Sequence, residues 1–170
     1  MRELILGGAR SGKSHLAEQR AASSQQDVLY IATAQAYDDE MKARITRHQS
    51  DRSTHWTTVE EPHYLASVLQ QHAKEERVIL VDCLTLWMSN LLCMDDEPFF
   101  KQQKEHFLQC FKALPGHVIL VSNEVGQGVI PDNALARRFV DETGWLHQAL
   151  AAQSDRVTFV TAGIAQQLKP

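Results

Sequence analysis

The segment from Gly7 to Ser14 constrains this chain more than any other part of the sequence. It reads Gly-Gly-Ala-Arg-Ser-Gly-Lys-Ser, which matches glycine, four residues, and then Gly-Lys-Ser/Thr. An apolar run, Leu4–Leu6, precedes it, and a stretch compatible with a helix, Ser14–Ala22, follows it. In a phosphate-binding loop of this kind, backbone N–H groups and the helix N-terminus surround phosphate oxygens. The segment therefore predicts a nucleoside triphosphate site, with Lys13 at the β- and γ-phosphates and Ser14 as a Mg²⁺ ligand. The alternative is a chance Gly-rich turn.

Apolar runs recur along the chain and alternate with helical stretches, which is typical of an α/β fold. The predicted strands are Arg2–Leu6, Val28–Ala32, Val78–Val81, Val118–Val121 and Val157–Thr161. The predicted helices are Ser14–Ala22, Tyr64–Glu76, Leu84–Cys93, Phe99–Leu114 and Ala134–Ala152. Several strands are apolar on both faces, as strands covered by helices must be. We expect a single P-loop NTPase domain over residues 1–170, RecA-like, with a mostly parallel sheet and helices on both faces.

Composition excludes several classes of protein. The chain has 170 residues and a formal net charge of −4, which gives no general attraction to nucleic acid or anionic membrane. No apolar run approaches the roughly 20 residues of a membrane span, and no signal peptide is recognisable. The three cysteines, Cys83, Cys93 and Cys110, form no CxxC pair and are interpreted as reduced and buried. We expect a cytoplasmic protein with no nucleic-acid or membrane partner.

A polar segment at about residues 38–59 interrupts the alternation of strands and helices. It predicts a helix from Asp39 to about Ser50 and a short extended piece, Trp56–Val59. The segment follows the second predicted strand, at the carboxyl edge of the sheet, where ligands bind in open α/β sheets. An insertion at this place is able to reach a bound nucleotide.

His48 is the candidate nucleophile of this insertion. Arg44, Arg47 and Arg52 lie close to it in sequence, and cations near a triphosphate stabilise the charge that develops during transfer. A neutral imidazole is able to attack an α-phosphorus, expel pyrophosphate and hold a nucleotidyl group covalently. The alternative is a solvated basic helix with an incidental histidine. The residues alone favour this alternative, because histidine and arginine are common on surfaces.

Two further strand ends carry polar side chains. Asp82 follows Val78–Val81 and predicts a Walker-B-type Mg²⁺ site, with capping of the helix that begins near Leu84 as the alternative. Asn123 and Glu124 follow Val118–Val121, and they are candidates for contact with substrate or metal. A purely structural turn is the alternative for them.

The remaining histidines lack metal-ligand spacing. Trp87 and Trp145 fall in apolar helical stretches and are predicted to lie in the core, whereas Trp56 could line a substrate or subunit surface.

Taken together, several blocks resemble the bifunctional adenosylcobinamide kinase / adenosylcobinamide-phosphate guanylyltransferase family of cobalamin biosynthesis. They occur in the family's order and cover nearly the whole chain. The blocks are Gly7–Ser14, Tyr30–Ala34, Asp39–His48, Trp56–Glu60, Asp82–Trp87 with Asn90, Ser122–Gly126 and Leu135–Phe139. The loop alone is generic, but the histidine block joined to Ser-Asn-Glu-Val-Gly is specific. Where the family often has Arg-Pro after the histidine, this chain has Arg52-Ser53-Thr54.

The resemblance implies two reactions. The first phosphorylates the aminopropanol hydroxyl of adenosylcobinamide with ATP or GTP, and the second transfers GMP from GTP to the resulting phosphate. The resemblance places the covalent guanylyl-histidine at His48 and catalytic Lys13 in the loop. Nucleotide contacts carry over to Gly7, Gly8, Ala9, Arg10, Ser11, Gly12, Lys13, Ser14, Thr33, Ala34, Gln35, Gln49, Ser50, Asp51, Arg52, Glu60 and Asp82. Ser14 and Asp82 are the expected Mg²⁺ ligands, and the resemblance also implies a homotrimer.

Two rival functions share the loop. One is a plain small-molecule kinase without a covalent step, and the other is a non-catalytic nucleotide-dependent switch.

Overall fold

The computed structural model describes residues 1–35 and 56–170. In these ranges, seven strands form one sheet and five helices pack against it. The strands are β1 (Arg2–Gly7), β2 (Asp27–Ala32), β3 (Thr57–Glu60), β4 (Arg77–Asp82), β5 (His117–Asn123), β6 (Arg156–Thr161) and β7 (Ile164–Lys169). The helices are α1 (Lys13–Ser23), α2 (Leu65–His72), α3 (Leu84–Cys93), α4 (Glu97–Phe111) and α5 (Ala134–Gln153).

The sheet has the strand order β3-β2-β4-β5-β1-β6-β7. All neighbouring pairs from β3 to β6 are parallel, and only β7 runs antiparallel, against β6. The carboxyl ends of six strands therefore lie along one edge of the sheet. This confirms the predicted mostly parallel sheet, and it places the segments after β1, β2, β4 and β5 side by side.

Alternation along the strands divides the core between the two faces of the sheet. Ile5 packs with Ala17 and Ala21 of α1 on one face. Leu4 and Leu6 point to the opposite face, which is covered by apolar residues of α2, α3, α4 and α5. The prediction of helices on both faces is thus confirmed within the described residues.

A buried ionic contact fixes α1 at the end away from the phosphate loop. Glu3 of β1 is fully buried and pairs with Arg20 of α1, which also donates to the Thr158 hydroxyl at 3.0 Å. His117 Nε2 lies 3.5 Å from Glu3, but burial lowers the pKa of His117 to about 4. His117 is therefore neutral near pH 7, and the charged partners of Glu3 are Arg20 and, at 4.0 Å, Arg156 of β6. Of these two, Arg20 holds α1 in register with β1.

Several predictions differ from the structure. The extended piece predicted at Trp56–Val59 belongs to the sheet and not to the insertion alone, because Thr57–Glu60 is an edge strand that pairs with β2. Strand β7 was not predicted at all. Trp87 is fully buried as expected, but Trp145 is 58% exposed, so its assignment to the core was wrong. All three cysteines are free, yet Cys93 is exposed rather than buried.

Among the described residues, no helix is both long enough and apolar enough to cross a membrane.

Candidate functional site: the phosphate loop and the strand ends beside it

The phosphate loop joins β1 directly to α1. Strand β1 ends at Gly7 and α1 begins at Lys13, so the predicted strand, turn and helix are confirmed. Gly12 stands before the helix with a φ of +96°, a left-handed conformation that glycine adopts without steric cost. The Ser11 N–H donates to the Gly8 carbonyl at 3.3 Å, and the Leu16 N–H donates to the Gly12 carbonyl at 3.0 Å.

Gly7 is required because the loop folds back tightly over its own start. A Cβ at Gly7 would lie 2.5 Å from both Ser11 Oγ and the Val160 carbonyl oxygen. Gly8, in contrast, faces open space, with no atom within 4 Å of such a Cβ. Ser11 Oγ is buried, and no described residue satisfies it with a hydrogen bond. The loop is thus a cradle with an orphaned polar atom, which fits the oxygen atoms of a phosphate chain.

Lys13 is held inside this cradle. Its Nζ donates to the Gly8 carbonyl at 3.1 Å, and its side chain is buried. Burial lowers the pKa of Lys13, while the nearby Cys83 and Asp82 act in the opposite direction. Burial also raises the pKa of the Cys83 thiol to about 11, so this thiol is neutral near pH 7. Lys13 and Asp82 therefore face the same region.

Asp82 ends β4 and does not cap the following helix. The N-cap residue of α3 is Cys83 and not Asp82, so the capping alternative is wrong. Instead, the Asp82 carboxylate accepts a hydrogen bond from the Tyr30 hydroxyl at 3.1 Å. Asp82 is half-buried, and its electrostatic interaction with Lys13 places the carboxylate near the start of α1, which carries the Ser14 hydroxyl. Carboxylate and hydroxyl oxygens are hard ligands of the kind that Mg²⁺ prefers. This donor set fits a Mg²⁺ ion that completes its shell with phosphate oxygens and water.

The structure brings Thr33 and Glu60 to the same edge of the sheet as Asp82. Ala32 lies opposite Glu60 in β3 and opposite Asp82 in β4, so the three strand ends are adjacent. The Thr33 hydroxyl is buried and bonds the Cys83 backbone, donating to its carbonyl at 2.7 Å and accepting from its N–H at 3.0 Å. Thr33 thus orients the backbone after Asp82, while Ala34, Gln35 and Glu60 are at least partly accessible.

The polar side chains at the end of β5 make hydrogen bonds within the protein, as a structural turn requires, and their contact with substrate or metal stays a prediction. The Glu124 carboxylate accepts from the N–H groups of Gly126 at 2.7 Å and Gln127 at 3.2 Å. The Asn123 side chain donates to the Thr85 hydroxyl at 3.0 Å. Glu124 nevertheless also lines a cleft beside the phosphate loop, so the turn borders the site.

Ser122 and His147 form a buried polar pair beneath this turn. His147 Nε2 lies 2.7 Å from Ser122 Oγ, and burial lowers the pKa of His147 to about 4, against the opposing effect of Glu124. The pair joins α5 to the end of β5.

Part of the predicted site lies outside the described residues: His48, Gln49, Ser50, Asp51 and Arg52. Within the described ranges, no group of three or more His, Cys, Asp or Glu side chains could hold a metal.

Sequence reasoning missed the residues whose side chains hold the backbone around the site. Asn90 Nδ2 donates to the carbonyls of Thr33 at 2.7 Å and Pro62 at 3.2 Å, and Trp87 Nε1 donates to the His63 carbonyl at 2.9 Å. Both lie on α3, and only their presence in a family-like block pointed to them. Tyr30 also lies in such a block, Tyr30–Ala34, but nothing in the sequence pointed to a role for its hydroxyl, because a tyrosine in an apolar strand looks like core.

Known proteins match the chain over nearly its full length. The family model described as "Cobinamide kinase / cobinamide phosphate guanyltransferase" matches residues 3–168. The chain is 56% identical over 169 residues to the bifunctional adenosylcobalamin biosynthesis protein CobP of Pseudomonas aeruginosa, covering 99% of this chain and 98% of the relative. It is 39% identical over 179 residues to the bifunctional adenosylcobalamin biosynthesis protein CobU of Escherichia coli, covering 98% of each.

Solved structures support the fold class. A Pyrococcus horikoshii protein superposes with a TM-score of 0.56 at 9% identity, covering 99% of this chain and 85% of that one. The RadB recombinase superposes with a TM-score of 0.54 at 13% identity, covering 93% of this chain and 73% of that one. The fold is therefore that of a RecA-like P-loop NTPase. With the full-length sequence matches, it follows that the chain belongs to the cobinamide kinase / cobinamide phosphate guanyltransferase family of bifunctional transferases.

Proposed function

We propose that this enzyme phosphorylates adenosylcobinamide with ATP or GTP and then transfers GMP from GTP to the adenosylcobinamide phosphate. The observation that carries the proposal is the phosphate loop with buried Lys13 facing Asp82, in a chain of this family. Both relatives are described as adenosylcobalamin biosynthesis proteins, and we place the two reactions in that process. We also propose that the enzyme acts in the cytoplasm and that it assembles as a homotrimer.

In the kinase step, the substrate hydroxyl attacks the γ-phosphorus, the bond to the β-phosphate oxygen breaks, and the hydroxyl proton is released. Loop N–H groups and Lys13 hold the phosphate oxygens and stabilise the charge on the departing nucleoside diphosphate. Mg²⁺ held by Ser14 and Asp82 would neutralise phosphate charge. The Tyr30 hydroxyl fixes the Asp82 carboxylate through its hydrogen bond.

In the transfer step, neutral His48 attacks the α-phosphorus of GTP, and the bond to pyrophosphate breaks. The adduct is a P–N phosphoramidate on His48. A phosphate oxygen of the cobinamide phosphate then attacks the guanylyl group, the P–N bond breaks, and His48 is regenerated. Protonation of the second ring nitrogen makes the imidazole a better leaving group in this second attack.

Nucleotide contacts in this proposal come from the loop Gly7–Ser14 and from the strand ends at Thr33, Ala34, Gln35, Glu60 and Asp82. Gln49, Ser50, Asp51 and Arg52 remain predictions from the resemblance, as does His48.

Labelling with α-³²P-GTP and Mg²⁺ tests the covalent step. We expect a label on the wild-type protein that is lost in acid and stable in base, as a phosphoramidate is. His48→Ala should carry no label but keep part of the kinase activity, because γ-phosphoryl transfer does not use the histidine. Lys13→Ala should lose both activities by at least about a hundredfold, since it removes charge stabilisation of the transition state.

The matched control is His106→Ala, which removes a histidine on α4 whose ring Nε2 lies 3.1 Å from Gln70 Oε1. Its labelling should equal that of the wild type. A label that survives in His48→Ala would contradict the nucleophile assignment. The absence of any α-label in the wild type would favour a plain kinase or a switch.

The pH dependence of labelling gives a second check. An ordinary histidine titrates at about pH 6.5, and only its neutral form is nucleophilic. Labelling should therefore weaken as the pH falls below about 6.5. Constant labelling from about pH 5 to 8 would argue against a titrating histidine nucleophile.

A further inference from the structure

The loop between β5 and α5 exposes two adjacent aliphatic side chains, Val129 and Ile130, which we call the aliphatic pair. Val129 is 97% exposed and Ile130 is 74% exposed. The residue before them, Gly128, lines a cleft of about 640 Å³ that Gly8–Ser11 of the phosphate loop also line. The pair therefore lies at the border of the phosphate site. Contiguous apolar surface in such a place is typical of a surface that binds another molecule.

Hydrogen bonds fix both ends of the loop that carries the aliphatic pair. At its start, the Glu124 N–H donates to the Gly7 carbonyl at 3.0 Å, and the Glu124 carboxylate accepts from the Gly126 N–H at 2.7 Å. At its end, Arg137 Nη1 donates to the Pro131 carbonyl at 3.1 Å. Few residues separate these anchors, so the loop presents the aliphatic pair in a set position beside the phosphate loop.

The acceptor of the proposed reactions has the chemistry that such a surface binds. Adenosylcobinamide carries its aminopropanol hydroxyl at the end of one arm of a large macrocycle, whose rim bears methyl groups and amides. The macrocycle is too large to enter the phosphate loop, so it must rest on the surface around the loop while the hydroxyl reaches the γ-phosphate. Ligand sites combine apolar side chains with a few polar groups that orient the ligand. Gln127, exposed just before the aliphatic pair, offers an amide for the amides of the rim.

The small size of the aliphatic pair argues against a second copy of the chain as its occupant. A stable interface between proteins takes about 800 Å² from each partner. Two side chains in a narrow loop, with glycine before them and proline after them, supply only a small part of such an area. They are sufficient for a local contact with one part of a large substrate.

We propose that Val129 and Ile130 bind the macrocycle of the acceptor and so hold its reacting arm at the phosphate loop. This deepens the proposed function and rests on it. The same contact serves both reactions, because adenosylcobinamide and its phosphate share the macrocycle. The aliphatic pair therefore sets the affinity for the acceptor and not the affinity for the nucleotide.

Replacing each aliphatic side chain by serine removes the contact without touching the core. The variants are Val129→Ser and Ile130→Ser. The matched control is Ile164→Ser at the start of β7, because that isoleucine is 73% exposed, almost as much as Ile130. One measurement is the equilibrium Kd for adenosylcobinamide, by dialysis and corrin absorbance, with Mg²⁺ and a non-hydrolysable ATP analogue present. The other is the Kd for ATP and for GTP with Mg²⁺.

We expect both variants to bind adenosylcobinamide at least about fivefold more weakly, since each loses the burial of an aliphatic side chain. Their Kd for ATP and for GTP, and the Kd of the control for all three ligands, should change less than about twofold.

Equal acceptor affinity in the variants and the wild type would overturn this inference alone, whereas no acceptor binding by the wild type would overturn the proposed function as well. Equal weakening of ATP and GTP would also overturn the inference, because the aliphatic pair would then contact the nucleotide. A smaller assembly mass of the variants in sedimentation equilibrium would overturn it too, because the pair would then contact a second copy of the chain.

Discussion

Two neighbouring glycines of the phosphate loop have different reasons to be glycine. Gly7 lies under the folded loop, where a Cβ would collide with Ser11 Oγ and with the Val160 carbonyl. Gly8 has open space around its missing Cβ. The motif requires glycine at Gly7 and leaves Gly8 among its four unspecified residues, but it records residue types and not the surroundings of each atom. The packing of β6 against the loop, which distinguishes them, is a tertiary contact.

Gly7→Ala should therefore destabilise the protein by about 1–3 kcal/mol, the usual cost of forcing extra volume into a packed site. Gly8→Ala is the matched control and should change the free energy of unfolding by less than about 0.5 kcal/mol. Chemical denaturation without nucleotide measures both. Equal destabilisation by the two substitutions would show that the close contact at Gly7 relaxes at no cost.

At the scale of elements, the helices and central strands were predictable and the edges were not. The buried strands β1, β2, β4, β5 and β6 each contain an apolar run, and the bounds of α3 were predicted without error. Strand β7 reads Ile-Ala-Gln-Gln-Leu-Lys and is almost entirely exposed, so it carries no apolar pattern. It exists because β6 offers a free edge and the turn at Ala162 and Gly163 adopts positive φ values. The turn between β6 and β7, whose Gly163 N–H donates to the Ser11 carbonyl of the phosphate loop at 2.8 Å, was therefore not predicted either.

The contact between α5 and β5 predicts a pH dependence of stability. Burial lowers the pKa of His147 to about 4, below the 6.5 of an ordinary histidine. The unfolded chain therefore binds a proton that the folded protein does not bind between these values. Stability from neutral His147 is complete above about pH 6.5 and is lost as the pH falls toward 4.

His147→Gln keeps a hydrogen-bonding group near Ser122 but does not titrate. We expect the slope of unfolding free energy against pH to be shallower in this variant than in the wild type between pH 4 and 6.5. Some slope should remain, because burial lowers the pKa of His117 to about 4 as well. Identical slopes in urea titrations of the two proteins would show that His147 does not contribute.

At the scale of the whole molecule, the assembly remains a prediction. The homotrimer comes from the family resemblance, and Trp145 and Leu135 of α5 expose apolar surface in the single chain. Sedimentation equilibrium of the untagged protein should give three times the chain mass across a tenfold range of concentration. A monomer mass throughout that range would contradict the trimer.

The position of β1 in the sheet has a consequence for the order of events during synthesis. Both neighbours of β1 are late in the sequence, since it pairs with β5 on one side and with β6 on the other. β1 and the phosphate loop leave the ribosome long before their hydrogen-bonding partners, which begin at His117 and Arg156. Contacts between such distant segments form slowly and leave strand edges unpaired meanwhile. The phosphate loop is therefore translated well before the strands that hold it in place, and it is among the last parts of this sheet to be assembled.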